Sequence, residues 1–171
     1  MTAKIEVIDN FLDEETFKQM ENVMVQTKFD WHYTEDITTH LGESNPYHYF
    51  CHQFYLHKTF ERSVFFDICI PLLRKFEPTA ILRVKGNMYV NQGIGVVEHS
   101  EHKDYDFSHM GALFSINTCD GYTKIGDEKI PSVANRCIIF DPSVPHTSTS
   151  TSNQKYRMNI NFNMIKLTDW E

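Results

Sequence analysis

Residues 98–107, EHSEHKDYDF, hold two histidines and four carboxylates in ten positions. The triplets HSE (99–101) and HKD (102–104) each place an imidazole and a carboxylate two residues apart. On a β-strand this spacing directs both side chains to the same side. Neutral imidazole and carboxylate are ligands that divalent first-row metals accept. Either triplet therefore predicts part of a metal site if a third ligand exists elsewhere, and a solvated charged loop if none does.

The third metal ligand would have to come from a distant part of the chain. His146 meets that need, because it follows an apolar stretch and a loop bracketed by Pro142 and Pro145. It lies 44 residues after His102, which leaves room for several intervening strands. Two histidines and one carboxylate on one side of an ion leave positions open for a cosubstrate and dioxygen. Arg157, at the start of YRMNINF, adds a guanidinium fork that suits a carboxylate.

The first residues predict a strand and a helix ahead of the candidate site. IEVI (5–8) is typical of a short strand, and Asp13 is a suitable N-cap for a helix over residues 14–27. Apolar residues at helical spacing form a core-facing stripe on that helix: Phe17, Met20, Val23 and Met24.

The next part of the chain has a weaker pattern. Residues 30–48 show no clear period and are predicted to form a loop near the mouth of the site, together with residues 92–98. YFCHQFYL (49–56) favours a strand. ERSVFFDICIPLLRKF (61–76) favours a second helix, which Pro71 should kink or shorten.

The second half of the chain alternates apolar and polar residues. AILRVKGNMYV (80–90) has one apolar face and one polar face, and the polar face consists of Arg83, Lys85, Asn87 and Tyr89. Further short apolar stretches follow, separated by turn residues: GALFSINT, YTKI, KIPSV, NRCIIF and YRMNINFNM. This series predicts a β-sandwich or a barrel-like roll.

These landmarks resemble the HxD…H…R signature of the non-haem Fe(II), 2-oxoglutarate-dependent oxygenases, and most of all their prolyl-hydroxylase-like branch. IEVIDNFLDEETF is similar to the first strand and helix of that branch, and NMYVNQG to the strand before the metal motif. SINTCDGYTKI resembles the segment that usually has the pattern YLNxxxGGxT. VANRCIIFDPSVPH resembles the strand and loop that deliver the distal histidine.

The resemblance implies an α+β, mainly β fold. Its core would be a double-stranded β-helix, or jelly roll, with N-terminal helices packed against one sheet. We expect a single dioxygenase-like domain over residues 1–171, with a helical and mixed part over 1–78 and the jelly-roll core over 79–166.

The resemblance also implies a metal site and a reaction. The family motif falls on His102 and Asp104, because residues 99–101 would lie too early, and His146 would complete the Fe(II) ligands. The implied reaction couples oxidative decarboxylation of 2-oxoglutarate to hydroxylation of a substrate that the sequence does not specify. A peptide side chain is one substrate class of the family, and ascorbate is a further cofactor that the resemblance allows.

Arg157 would hold the distal carboxylate of 2-oxoglutarate, with Tyr89 against the cosubstrate. Two positions depart from the pattern of many relatives. Asn159 stands where a small hydroxyl residue is common, and Ser115 stands where a second tyrosine is common. Asn159 lies on the same strand face as Arg157, so its amide could donate to the cosubstrate instead.

Composition limits the function classes. Sixteen Lys and Arg against 23 Asp and Glu give a net charge of −7, which disfavours generic nucleic-acid binding. No apolar stretch approaches the roughly 20 residues of a membrane span. Four cysteines without a CxxC pair, and a start without a secretory pattern, predict a reduced cytoplasmic protein. The expected partner is a small-molecule or peptide substrate, and the oligomeric state stays open.

The other residues that could bind a metal favour structural roles, and one alternative function is compatible with the sequence. Histidines and a cysteine in YHYFCHQFYLH match no familiar zinc spacing and favour a packed aromatic strand: His48, Cys51, His52 and His57. His109, just before an apolar strand, favours a structural role. The alternative function is a non-redox, cupin-like jelly roll that binds a metal or another ligand without oxidation.

Overall fold

The computed structural model describes residues 4–35 and 48–167. These ranges form two α-helices, α1 (Glu14–Val25) and α2 (Ile70–Phe76), and eleven β-strands. The strands are β1 (Glu6–Ile8), β2 (His32–Thr34), β3 (Tyr49–Leu56), β4 (Glu61–Arg62), β5 (Ala80–Val90), β6 (Met110–Ser115), β7 (Tyr122–Ile125), β8 (Glu128–Pro131), β9 (Arg136–Phe140), β10 (His146–Ser148) and β11 (Tyr156–Ile165). Neither helix is long and apolar enough to cross a bilayer.

The strands form a large and a small antiparallel sheet. The large sheet has the order β1-β9-β6-β11-β5-β3-β2, with β4 paired to β3, and the small sheet has the order β10-β7-β8. Isolated bridges join Glu98 to Thr149 and His102 to His146, so residues 98–102 extend the small sheet irregularly beside β10. Non-consecutive neighbours in both sheets are the result of chain crossovers, as expected for a double-stranded β-helix.

The apolar core lies between the helices and one face of the large sheet. Phe17 of α1 packs edge-on against Phe114 of β6, and Phe76 of α2 packs against Phe162 of β11. Even-numbered residues of β11 face this core, whereas its odd-numbered residues from Arg157 to Asn163 lie on the opposite face and are polar. The predicted fold, a jelly roll with N-terminal helices against one sheet, is confirmed.

Helix α1 forms where its pattern predicts. The Asp13 carboxylate accepts a hydrogen bond from the backbone N–H of Thr16 at 2.9 Å and caps the helix. Its apolar stripe is buried at three positions: Phe17, Met20 and Met24.

The predicted helix over residues 61–76 is wrong in its first half. The structure has β4 there, followed by a 3₁₀ turn over Phe66–Cys69, and α2 begins only at Ile70. Pro71 explains this start, because proline lacks a backbone N–H and fits only the first turn of a helix. The predicted loop over residues 30–48 contains β2, and its residues 36–47 lie outside the described part of the chain.

Asn135, in the β8–β9 connection, binds the backbone of Leu12, the residue before the N-cap of α1. Its side chain accepts from Leu12 N at 2.9 Å and donates to Leu12 O at 2.8 Å, and it is buried with a φ of 61°. Asn135→Ala should lower the free energy of unfolding by about 3 kcal/mol, because it leaves two buried backbone groups unpaired. Denaturant unfolding checks this. Asn135→Gly, which tolerates the positive φ, should also destabilise, and an unchanged midpoint for both variants would contradict the proposed role of the bonds to Leu12.

Candidate functional site

The inward faces of β5 and β11 form the floor of the site. The antiparallel register pairs Tyr89 with Arg157 and Asn87 with Asn159. The same register continues with Lys85 opposite Asn161 and Arg83 opposite Asn163. Because side chains alternate along a strand, these eight polar residues share one face. Ser115 of β6 pairs with Asn159 on its other side, so Asn87, Asn159 and Ser115 form one row across three strands.

Three predicted metal ligands converge at one end of this floor. The ligand atoms of His102, Asp104 and His146 all lie within 4.8 Å of one another. Two backbone hydrogen bonds hold the two histidines together, from His102 N to His146 O at 3.0 Å and back at 2.9 Å. The ring centroids are 4.4 Å apart. Residues 44 positions apart in sequence therefore present two imidazoles and a carboxylate to one point.

The remaining ring nitrogens fix the orientation of both imidazoles. Nδ1 of His102 donates to the carbonyl oxygen of Ser100 at 3.3 Å, and Nδ1 of His146 donates to that of Val144 at 2.9 Å. Nε2 of each ring is then left unprotonated and is the nitrogen that can bind a metal. Burial, followed by the nearby His146 ring, lowers the pKa of His102, which favours the neutral form that a metal requires.

Two polar side chains hold the Asp104 carboxylate. Nη2 of Arg83 lies 2.8 Å from Oδ1, and Nδ2 of Asn161 donates to Oδ2 at 3.0 Å. Burial alone would raise the pKa of Asp104, but the charge of Arg83 and the other contacts hold it at about 2. The carboxylate is therefore ionised at neutral pH and ready to accept a cation.

The Asn161 amide predicts a measurable effect on metal affinity. Asn161→Ala should weaken Mn(II) binding about tenfold, because it removes the hydrogen bond that orients the Asp104 carboxylate. Anaerobic Mn(II) titration, followed by calorimetry, checks the value. Asn22→Ala, at an exposed position of α1, is the matched control and should bind Mn(II) like the wild type. Equal affinity for all three proteins would exclude an orienting role for Asn161.

Arg157 lies four residues before Asn161 on the same face and is almost completely buried, with 1% of its surface exposed. Nη1 donates to the carbonyl oxygen of Thr149 at 3.0 Å, and Nη2 donates to the Thr123 hydroxyl at 2.7 Å. Among the described residues, no carboxylate lies within 4 Å of its guanidinium. A buried cation without a counter-charge is costly, so this position favours an anionic ligand.

Unpaired polar atoms cluster on the same floor. In the part of the chain that the structure describes, three buried side-chain atoms have no hydrogen-bond partner: Arg83 Nε, Ser115 Oγ and Arg157 Nε. All three belong to the adjacent strands β5, β6 and β11. Buried polar groups are normally paired, so their concentration here is evidence for a polar ligand. A carboxylate-bearing cosubstrate fits this requirement.

Tyr89 covers the arginine. Its ring centroid lies 5.8 Å from Cζ of Arg157 and stacks on Tyr49 at 5.5 Å. Burial raises the pKa of Tyr89, so the phenol stays neutral. Asn159, the other predicted cosubstrate residue, accepts a hydrogen bond from Asn87 at 3.0 Å and is buried.

The alternative triplet does not share the cluster. His99 packs 4.9 Å from the Tyr89 ring, and its Nδ1 is 2.7 Å from the Ser148 hydroxyl. Burial, together with the nearby positive charge of Arg157, lowers the pKa of His99 to about 3, so its ring is neutral. Glu101 is exposed. The structure therefore places only the later triplet beside His146.

Two further histidines, His52 and His109, are held by groups outside the site. His52 packs 4.5 Å from Phe29, and its two ring nitrogens contact the Asp30 carbonyl and the Ser63 hydroxyl, each at 2.7 Å. This agrees with the aromatic strand that the sequence predicts. His109 uses both nitrogens within the fold, one of them in a 2.7 Å bond to Asn163.

Two cavities are candidates for the position of the site. One of about 230 Å³ lies beside the metal cluster and is lined by Tyr49, Arg83, Lys85, Asn87, Tyr89, His102, Lys103, Asp104, Ser148 and Asn161. A larger cavity of about 460 Å³ lies near β1 and α2, and its lining contains none of the six predicted site residues. We assign the chemistry to the smaller cavity, because its lining includes His102 and Asp104, two of the three converging metal ligands.

The sequence did not single out Arg83, Lys85 or Asn161 as site residues. All three stand at alternating polar positions of strands that the sequence did predict. A polar face on a strand that is otherwise buried was the available signal. It was not sufficient, because only the fold shows that β5 and β11 are neighbours.

No protein-family model matches the chain, and no curated protein matches it in sequence. Solved structures do match. A 2OG-Fe(II) oxygenase-family oxidoreductase from Burkholderia pseudomallei aligns with a TM-score of 0.66 and 8% identity, over 93% of this chain and 84% of that one. This chain has the 2OG-Fe(II) oxygenase fold. The resemblance that the sequence suggests is thus confirmed at the level of the fold.

Two further structures show the range of proteins with this fold. The α-ketoglutarate-dependent epimerase SnoN of nogalamycin biosynthesis aligns with a TM-score of 0.65 and 10% identity, over 96% of this chain and 78% of that one. A prolyl hydroxylase from Trichoplax adhaerens, in complex with a hypoxia-inducible-factor peptide, aligns with a TM-score of 0.59 and 13% identity, over 94% and 83%. The fold therefore serves more than one reaction, and the reaction must be inferred from the site.

Proposed function

We propose that the protein is an Fe(II)- and 2-oxoglutarate-dependent dioxygenase that hydroxylates a small-molecule or peptide substrate. The observation that carries the proposal is the convergence of His102, Asp104 and His146 within 4.8 Å in this fold. Two imidazoles and one carboxylate hold a divalent ion on one side and leave coordination positions open. Known proteins with the same fold include oxygenases and hydroxylases, which supports the assignment.

Each residue of the site has a part in this proposal. His102 and His146 present Nε2 to the metal, and the ionised Asp104 supplies the third ligand. Arg157 holds the distal carboxylate of 2-oxoglutarate, with the neutral Tyr89 ring excluding water beside it. Asn159, together with Asn87 and Ser115, offers further hydrogen bonds to the cosubstrate. When bound, iron and 2-oxoglutarate supply the activation of dioxygen and the oxidation of the substrate.

The same proposal includes the cellular setting. All four cysteines are free thiols, which suits a reducing compartment, and we therefore place the protein in the cytoplasm. A reducing compartment also favours iron in the Fe(II) state. Ascorbate, as a reductant, would act by keeping that state available.

Succinate formation tests the proposed reaction. The purified protein is loaded anaerobically with Fe(II) and 2-oxoglutarate, oxygen is admitted, and succinate is measured with and without candidate substrates. We expect slow uncoupled succinate formation by the wild type, and at least 100-fold less by Asp104→Ala, which lacks one metal ligand. Asp106→Ala removes an exposed carboxylate two positions on and should match the wild type. No succinate from the wild type, or equal amounts from Asp104→Ala, would refute the proposal.

A non-redox binding module is the second candidate. One observation favours it: both terminal nitrogens of Arg157 already have partners, Thr149 and Thr123, and Arg157 does not line the cavity. Metal binding without succinate formation in the same experiment would support this candidate.

A further inference from the structure

The cavity beside the three candidate metal ligands carries an excess of positive charge. Its lining includes Arg83, Lys85 and Lys103, whereas Asp104 is the single carboxylate among its described lining residues. This contrasts with the whole chain, which has a net charge of −7. A locally cationic cavity in an acidic protein attracts anions to one place.

Lys85 has a neutral partner. Its Nζ donates to the Tyr49 hydroxyl at 2.6 Å and lies 4.9 Å from the centre of the same ring. Tyr49 is 7% exposed, and burial raises its pKa to about 12, so the phenol does not neutralise the ammonium. Among the described residues, no carboxylate lies within 4 Å of Nζ.

The counter-ion of Arg83, Asp104, is also a candidate metal ligand. Its Nη2 lies 2.8 Å from Oδ1 of Asp104, and its Nε is buried without a partner. Oδ1 is also the oxygen nearest to Nε2 of His102, at 3.9 Å, so it faces the position between the ligands. A divalent ion bound there would neutralise Asp104, and Arg83 would need another anion.

2-Oxoglutarate does not remove this excess. Lys85 and Arg83 lie two and three side-chain rows from Arg157, at the metal end of the floor. Together with Arg157 and a divalent ion they carry five formal positive charges, whereas Asp104 and the two carboxylates of 2-oxoglutarate carry three negative charges. Two cations that face the cavity would remain without an anion. Such groups are evidence for a second anionic ligand in the same space.

We propose that Lys85, assisted by Arg83, binds a carboxylate or phosphate group of the substrate, which is a small organic anion. This inference rests on the proposed function and specifies the substrate class. Lys85 acts as a specificity-determining residue, with Tyr49 fixing its ammonium group. A cavity of about 230 Å³, below the range of roughly 300 to 1,000 Å³ that is typical of ligand pockets, favours a small substrate.

Paired probes that differ by one charge test the proposal. The full chain is loaded anaerobically with Mn(II) and saturating 2-oxoglutarate. N-acetylglycine, N-acetylglycinamide and methyl phosphate are then titrated, and the Mn(II)-induced broadening of their methyl proton signals is measured. We expect N-acetylglycine to reach half-saturation at a concentration at least tenfold lower than the neutral amide does. Methyl phosphate binding better than N-acetylglycine would identify phosphate as the preferred anion within the same proposal.

Variants assign the selectivity to Lys85. Lys85→Met should reduce the preference for the acid at least tenfold, and Lys85→Arg should restore most of it. Lys28→Met removes an exposed lysine after α1 and makes the same change in net charge, so it should keep the wild-type preference. Circular dichroism confirms that each variant is folded.

Three outcomes would overturn the proposal. The amide could bind as well as the acid, Lys85→Met could keep the full preference, or an acidic peptide with blocked ends could bind better than N-acetylglycine. Binding of Mn(II) and of 2-oxoglutarate is measured by titration before the probes are added, and this step tests the proposed function separately. A wild-type protein that binds neither Mn(II) nor 2-oxoglutarate would refute both proposals.

Discussion

Arg157→Met is expected to raise the dissociation constant for 2-oxoglutarate about 100-fold or more, with a much smaller effect on the stability of the unliganded protein. Arg157 is 1% exposed, and its guanidinium has no carboxylate partner among the described residues. Removing one member of a buried ion pair costs several kcal/mol, so the complex loses affinity. In the unliganded protein the variant loses the hydrogen bonds to Thr149 O and the Thr123 hydroxyl, but it also removes a buried charge without a counter-ion, and the two effects partly offset each other.

Two measurements separate the cosubstrate role of Arg157 from a structural one. Binding of 2-oxoglutarate is followed by calorimetry with Mn(II) in place of iron, and unfolding is followed in denaturant with and without 2-oxoglutarate. The ligand should stabilise the wild type and not Arg157→Met. Arg157→Lys keeps the positive charge but loses the planar guanidinium that binds a carboxylate through two hydrogen bonds. Its affinity for 2-oxoglutarate should therefore be intermediate. A strongly destabilised Arg157→Met with normal 2-oxoglutarate affinity would show that Arg157 serves only the fold.

Gly121→Ala should destabilise the protein by about 3 kcal/mol and also weaken 2-oxoglutarate binding. A Cβ at this position would overlap the backbone carbonyl oxygen of Ser150 and would lie 2.7 Å from Cδ of Arg157. Backbone cannot move aside as a flexible side chain does, so the added methyl group must displace the strand end or the arginine. One methyl group thus affects the fold and the candidate cosubstrate site together.

Gly93→Ala is a suitable comparison for Gly121→Ala. Its Cβ would meet nothing within 4 Å, but its φ of +73° is unfavourable for alanine. The expected cost is therefore about 1 kcal/mol, with no effect on cosubstrate affinity. Thermal and denaturant unfolding of both variants checks that Gly121→Ala is the less stable protein. A Gly121→Ala protein as stable as Gly93→Ala would mean that the close approach to Ser150 relaxes freely.

Strand periodicity was the most reliable information in the sequence. β3, β5 and β7 begin and end at the residues that the patterns predict, because alternation is a direct consequence of one buried face. β2 and β10 were missed as strands. Each has only three residues, which is too short for a period to be visible.

The site was predictable as residue types and less so as an arrangement. Coordination chemistry predicts a histidine and a carboxylate two residues apart with a distant third ligand, and the family resemblance selects His102 and Asp104 over the earlier triplet. Neither predicts the Arg83–Asp104 pair, because its distance of 2.8 Å depends on how β5 lies beside the metal segment. Nor could the pattern show that Thr149 and Thr123 occupy the terminal nitrogens of Arg157.

The irregular extension of the small sheet links metal supply to local folding. Residues 98–102 join β10 through isolated bridges only, and His102 and His146 form one of them. An ion bound by both His102 and His146 would cross-link the two segments at this edge of the sheet. Its binding free energy would add to the stability of the edge. Backbone amides of residues 99–104 should then exchange hydrogen for deuterium more slowly with metal than without it. Loss of the metal ion would thus loosen this edge of the barrel as well as empty the candidate site.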